Sequence, residues 1–116
     1  MKKTKLGEFE ELVLLTVVVL QEKAYGVEIK RELEIRLKDQ LSVGSIQSAL
    51  KRMEEKGFLT SVFGEATQKR GGKRKRIYTA TNYAQQVLKE LKDIRTQLWE
   101  AFPQAVVSYR QELMGV

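Results

Sequence analysis

The sequence LSVGSIQSALKRMEEKGFL, residues 41–59, carries the strongest structural signal in the chain. Ser42 is a favourable N-cap, because its hydroxyl can accept a hydrogen bond from a backbone N–H in the first turn of a helix. Gly57 readily adopts the left-handed conformation that ends a helix. We therefore predict a helix over residues 43–56. Its expected buried face consists of Val43, Ile46, Leu50 and Met53, with Ala49 beside them.

Two further helices are predicted upstream. The first covers residues 6–21, and the acids within residues 8–11 suit the positive end of its dipole. The β-branched run 17–19 is also typical of a buried strand, but about fifteen residues without a turn signal favour a helix. Because this helix is apolar almost all round, we expect it to be buried on more than one side. The second helix follows residues 24–26, and its predicted inward positions are Val27, Ile29, Leu33 and Leu37.

A β-hairpin is predicted downstream of residue 57. Residues 58–63 alternate weakly between apolar and polar side chains, and residues 77–80 form a second short extended segment. The loop between them contains the pair Gly71-Gly72, which can adopt the positive φ angles of a tight reversal.

The last predicted helix begins at Thr81 or Asn82, either of which can cap it. Its apolar residues recur at steps of three and four, which is the spacing of a coiled-coil seam. Pro103 should end or kink the helix, and residues 106–113 then form a short amphipathic segment. The apolar strip is too wide for a small three-helix core to cover, which predicts dimerisation. The predicted dimerisation residues are Val87, Leu91, Ile94, Leu98, Trp99 and Phe102.

The net charge of +6 is concentrated in one short segment. Residues 69–76 read KRGGKRKR and contain six basic residues and no acid, whereas the rest of the chain holds 15 basic and 15 acidic residues. A basic loop on an otherwise neutral body is typical of a protein that binds a polyanion.

Composition excludes several classes of protein. The chain contains no Cys and no His, which removes the usual zinc ligands, the thiol nucleophile and the common acid–base residue. We therefore expect that the protein is not an enzyme and that it binds no metal ion or cofactor. The apolar run 12–20 is far shorter than the roughly 20 residues that span a bilayer. No small-residue cleavage site follows this run, so we expect no signal peptide. The basic residues 69–76 have no apolar residues among them, so we expect no membrane partner. The absence of Cys suits a reducing cytoplasm, which is the expected location.

The order of elements, three helices followed by a hairpin and a long helix, is that of a winged helix-turn-helix. The expected fold class is mainly α with a small β-hairpin (α+β). We expect a winged helix DNA-binding domain over residues 1–80 and a C-terminal dimerisation helix and tail over residues 81–116. The length of 116 residues suits one such domain with an appended helix.

This arrangement predicts binding to duplex DNA, because a helix fits the major groove and a basic loop reaches the adjacent phosphates or minor groove. Glu54 and Glu55 repel phosphate, which favours insertion of the N-terminal half of helix 43–56. The predicted DNA contacts on this helix are Ser45, Gln47, Ser48, Lys51 and Arg52. Those in the wing, residues 65–76, are Lys69, Arg70, Lys73, Arg74 and Arg76.

The chain resembles the PadR family of transcriptional regulators over residues 6–91. The resemblance rests on LVLL at 12–15, YGVEI at 25–29, residues 41–59 and GGKRKRIY at 71–78. It implies a homodimer, usually a repressor, in which the C-terminal helix packs against the partner's first helix. It also resembles the compact subgroup with a single C-terminal helix. Gln47 and Ser48 depart from the family pattern on the reading face, so no operator preference carries over.

Two alternatives remain open at this point. A winged helix can serve as a protein-interaction module without specific DNA binding, because a fold does not by itself fix function. Some compact relatives bind flat aromatic compounds between their subunits, so Trp99 either lines a site for a small aromatic effector or anchors the dimer interface.

Overall fold

A computed structural model describes residues 6–64 and 74–115 of the chain. Helix α1 spans Glu8–Leu20 and leads through a short 3₁₀ turn, Gln21–Lys23, to helix α2 at Gly26–Leu37. Helix α3 spans Val43–Glu55, and strands β1 and β2 span Leu59–Phe63 and Arg76–Ala80. Helix α4 spans Asn82–Leu113.

The first compact unit of the chain ends at Gln85 and contains the three shorter helices and the hairpin. Helix α1 packs against α2, α3 and β2, so the core lies between these elements. Its side chains are almost completely removed from solvent, and this burial of apolar surface is the main stabilising contribution to the unit. The largest fully buried side chains are Phe58, Leu14, Ile29, Ile46, Leu50, Met53, Val13 and Val17.

Strands β1 and β2 form an antiparallel hairpin in which Leu59 pairs with Ala80 and Phe63 with Arg76. The segment before α2 extends this sheet by one isolated bridge between Tyr25 and Ile77. The Tyr78 N–H also donates to the Ala24 carbonyl over 2.8 Å. The hairpin is thereby attached to the start of α2, which completes the predicted winged helix.

Local signals set most of the helix ends. The Ser42 hydroxyl accepts a hydrogen bond of 3.0 Å from the Ser45 N–H, and Gly57 has a φ of 83°, as predicted. The Thr81 hydroxyl accepts a 3.1 Å hydrogen bond from the Ala84 N–H, so Thr81 rather than Asn82 caps α4.

Burial differs from the predicted pattern at the helix ends and on α1. Val27 and Leu37 of α2 and Val43 of α3 are exposed rather than inward-facing, because no described element of the first unit covers these ends. Helix α1 buries Val13, Leu14 and Val17, but the opposite face is exposed within the single chain. That face consists of Leu15, Val18 and Val19.

The second compact unit, Gln86–Val116, consists mainly of the rest of α4. Of the two effects predicted for Pro103, an end to the helix does not occur, since α4 continues through it to Leu113. Proline removes one backbone hydrogen bond, which here is the bond to the carbonyl of Trp99. Because this part of α4 is exposed, water can satisfy that carbonyl, and the predicted separate segment 106–113 is part of the same helix.

Candidate nucleic-acid interface

Helix α3 is held on the core by one face and presents the other face to solvent. Its buried residues are Ile46, Ala49, Leu50 and Met53, whereas Gln47, Ser48 and Lys51 are exposed. Val43, which was expected in the buried face, is 63% exposed. Since residues four apart share a helix face, Val43, Gln47 and Lys51 form one row along the exposed side.

Ser45 is committed to the helix cap. Its N–H donates to the Ser42 hydroxyl, and its own hydroxyl donates to the Ser42 carbonyl over 2.9 Å. The side chain is half-buried. Among the predicted contacts on α3, Gln47, Ser48 and Lys51 are therefore more accessible to a partner.

Arg52 and Lys56 converge on Glu10 of α1, which is 4% exposed. The Arg52 Nε donates to Oε2 over 2.9 Å, and the Lys56 Nζ donates to Oε1 over 3.0 Å. Burial alone would raise the pKa of Glu10, but hydrogen bonds from the Gly7 N–H, Arg52 and Lys56 outweigh it and lower the pKa to about 2. The carboxylate therefore stays ionised and ties α3 to the start of α1.

Glu34 fixes the turn that leads into α3. Its Oε2 accepts hydrogen bonds from the Leu41 N–H at 2.8 Å and from the Lys30 Nζ at 3.0 Å. These bonds lower the pKa of Glu34. The N-terminus of α3 is thus positioned by α2 as well as by its own Ser42 cap.

The base of the hairpin holds its basic residues in defined places. The Arg74 Nε donates to the Gly64 carbonyl over 3.1 Å, and the Arg74 and Arg76 guanidinium groups lie 5.9 and 4.7 Å from the centre of the Phe63 ring. Lys75 Nζ lies 4.1 Å from the centre of the Tyr25 ring, where a cation–π attraction holds it. The predicted contacts Lys69, Arg70 and Lys73 lie outside the described residues.

Glu54 links α3 to both strands of the hairpin. Its Oε2 accepts a 2.7 Å hydrogen bond from the Ser61 hydroxyl, and its Oε1 lies 3.6 Å from the Arg76 Nη1. From the sequence alone, this carboxylate is expected only to repel phosphate. In the structure it compensates part of the charge of Arg76 and connects the helix with the wing.

A cleft of about 340 Å³ brings α3 and the hairpin base together. Gln47 lies on one side of it, and Arg74 and Arg76 lie on the other. The remaining lining residues carry no sequence signal of proximity to α3, since a YG pair and one Lys within the basic run do not indicate it. They are Tyr25, Gly26, Val27, Lys75 and Tyr78.

The predicted dimerisation residues lie along α4. Val87 and Leu91 are half-buried, whereas Ile94, Leu98, Trp99 and Phe102 are exposed, with Trp99 67% exposed. The Trp99 and Phe102 rings touch, with their centres 5.3 Å apart. This helix therefore presents a continuous apolar and aromatic strip on a single chain.

Within residues 6–64 and 74–115, no group of acidic side chains is arranged to hold a metal ion. None of the described helices combines the length and apolar character needed to cross a membrane.

Comparisons with known proteins agree with this architecture. A model of the transcriptional regulator PadR-like family matches residues 14–90. A PadR family transcription regulator from Clostridium difficile R20291 is 31% identical, with 84% of this chain and 96% of that chain covered and a TM-score of 0.53.

Two further solved structures share the fold. A PadR-like transcription factor from Bacteroides fragilis has a TM-score of 0.67 at 22% identity and covers 84% of this chain and 88% of its own. A PadR-like transcriptional regulator from Bacillus cereus ATCC 14579 has a TM-score of 0.61 at 24% identity, with 89% and 91% covered. A search of curated proteins finds no match.

Proposed function

Since the chain belongs to the PadR-like family of transcriptional regulators, we propose that it is a repressor that binds a specific duplex DNA sequence as a homodimer in the cytoplasm. The family is one of DNA-binding regulators and not of enzymes. The DNA-binding part corresponds to residues 1–80 and the dimerisation part to residues 81–116.

The observation that carries this proposal is the placement of α3 against the hairpin. The helix is anchored by four buried side chains, and Glu10, Glu34 and Glu54 attach it to its neighbours. A reading helix must be rigidly held if its side chains are to discriminate between bases. The exposed Gln47, Ser48 and Lys51 then enter the major groove, while the wing contacts the backbone or the minor groove.

Different roles follow for the predicted contact residues. The amide of Gln47 has the donor and acceptor needed to recognise an adenine edge, and Ser48 can bond to any base. Lys51, Arg74 and Arg76 contribute positive charge towards phosphates, together with Lys69, Arg70 and Lys73 of the wing. Arg52 and Ser45 support α3 through Glu10 and the helix cap, and any DNA contact they make is secondary.

The homodimer is supported by the two exposed apolar surfaces. In the proposed dimer, the strip on α4 covers the exposed face of α1 in the partner, which consists of Leu15, Val18 and Val19. This arrangement removes from water the apolar surface that a single chain leaves exposed. Trp99 then acts as an interface anchor. A second proposal is that a small aromatic effector binds beside Trp99, and saturable quenching of Trp fluorescence by such compounds tests it.

The test is fluorescence anisotropy with the DNA upstream of the protein's own gene and a scrambled duplex of the same composition. We expect tight, salt-sensitive binding that prefers the native fragment at near-physiological salt. Equal binding to both duplexes contradicts sequence-specific recognition of this fragment, and the absence of binding to either duplex favours the protein-interaction module. A matched control is Lys23→Ala, which removes a cation outside α3 and the wing and should leave the preference unchanged.

A further inference from the structure

Two exposed valines face one cleft between α2 and α3. Val27 is 54% exposed and Val43 is 63% exposed, and both line a cleft of about 370 Å³. Gln47 lies in the same lining, one helical turn after Val43. A small apolar patch therefore stands directly beside the side chain proposed to read a base.

The fold does not explain why Val43 is a valine. Ile46, which lines the same cleft, is buried and belongs to the core, whereas Val43 does not. A β-branched side chain also loses rotamer freedom in a helix, so alanine would favour the helix more at an exposed site. The valine thus adds little to the core and leaves most of its apolar surface available for contact with a partner.

Charged residues surround the patch, and Lys30, Arg31 and Glu34 of α2 line the same cleft as Val43. Val27 and Gln47 also line the cleft of about 340 Å³ between α3 and the hairpin base, which Arg74, Lys75 and Arg76 line as well. An apolar patch that adjoins three cations suits a polyanion that carries an apolar group near its charges. In the major groove of duplex DNA, the apolar group on a base edge is the C5-methyl of thymine.

We propose that Val43, with Val27 beside it, contacts the C5-methyl group of a thymine adjacent to the base pair that Gln47 reads. This inference rests on the proposed function and adds a specificity-determining residue to it. Val43 selects thymine through loss of water from two apolar surfaces, whereas Gln47 selects its base through hydrogen bonds.

The test removes the methyl group from the DNA and the valine from the protein. A preferred duplex is first selected with the wild-type protein from a random library. Each thymine is then replaced singly by deoxyuridine, which differs only in lacking the methyl, and affinity is measured by anisotropy. For the wild-type protein we expect one thymine in each half-site at which the replacement weakens binding about fourfold. This is the change in affinity expected when one methyl-sized group is no longer buried.

Val43→Ala should lose most of the fourfold difference between the thymine and deoxyuridine duplexes, because it lacks the two γ-methyl groups that make most of the contact. Its far-UV circular dichroism should match wild type, since the site is exposed. The matched control is Ile35→Ala, because Ile35 is an exposed aliphatic residue at 64% that does not line the cleft. This control should keep the full fourfold sensitivity to deoxyuridine.

Two results overturn the inference while the proposed function stands. One is a wild-type protein that tolerates deoxyuridine at every thymine of a selected sequence. The other is a Val43→Ala variant that loses as much affinity with deoxyuridine as wild type does. Failure of the library to yield any enriched sequence overturns the proposed function and this inference together, and it is recognised before any deoxyuridine is introduced.

Discussion

Gln47 is the exposed amide on the row that α3 presents to solvent. In a panel that replaces each base pair of the preferred site in turn, Gln47→Ala should lower discrimination at one position by about 1–3 kcal/mol. Anisotropy across this panel measures the effect. Lys51→Ala is the comparison, because loss of a phosphate contact weakens all sequences evenly and lowers the salt slope by about one unit. A uniform loss with Gln47→Ala contradicts its reading role.

Gly26 gives the Gln47 side chain its space. A Cβ at position 26 would lie 2.8 Å from the Gln47 Nε2, so an alanine there must displace the amide. The end of a glutamine side chain moves easily, and alanine is a better helix former, so Gly26→Ala should unfold at the same or a higher temperature. We expect an altered base preference at the position that Gln47 reads, measured on the same panel.

A double-mutant cycle separates this effect from a general disturbance of the interface. In a Gln47→Ala background the displaced group is absent, so Gly26→Ala should leave base preference unchanged. If Gly26→Ala changes base preference equally in the wild-type protein and in the Gln47→Ala variant, Gly26 does not act through Gln47.

At the scale of elements, Glu10 joins α1 to α3 and makes stability depend on pH. Its pKa is about 2 in the folded protein, against an ordinary value of 4.5. A lowered pKa stabilises the folded state above the ordinary value, and this contribution is lost as pH falls from about 4.5 to about 2. The free energy of unfolding of the wild-type protein should fall between about pH 6 and pH 2. Glu10→Gln should make this fall about 3 kcal/mol smaller, as measured by urea unfolding.

The control for this prediction is Glu22→Gln, which neutralises an exposed carboxylate in the turn after α1. It should retain the pH dependence of the wild-type protein below about pH 5. A Glu10→Gln protein with an unchanged pH profile contradicts the assignment of this stabilisation to Glu10.

The link between α3 and the hairpin shows which elements were predictable. Ser42, Gly57 and Thr81 set helix ends through local geometry, so α3 and the start of α4 were expected close to their observed bounds, whereas the C-terminal end of α4 was not. Glu54 was interpreted only by its charge, because its partner Arg76 lies on a strand that folds back from a distant part of the sequence. Local patterns do not encode such pairings.

At the scale of the whole molecule, the exposed strip on α4 predicts a self-associating protein. Leu98 is 66% exposed in the single chain, so Leu98→Glu should fold. In the dimer, the substitution places an unpaired charge in an apolar interface, which is strongly unfavourable. Sedimentation velocity should give a monomer at concentrations where wild type is a dimer.

Ile35→Glu is the matched control, because Ile35 is 64% exposed but lies on α2, outside the proposed interface. It should sediment as wild type does. A Leu98→Glu protein that keeps the dimer mass contradicts the assignment of α4 as the dimerisation helix.

The sequence by itself determined the order of the elements, the caps of α3, the family resemblance and the concentration of positive charge in residues 69–76. These features depend on the chemistry of neighbouring residues, which a sequence displays directly. The tertiary structure determined that Val43 is exposed and that Arg52 pairs with Glu10, 42 positions away. Burial and ion pairing depend on which distant segments pack together. Helical periodicity shows which residues share a face of a helix, but it does not show whether another element covers that face.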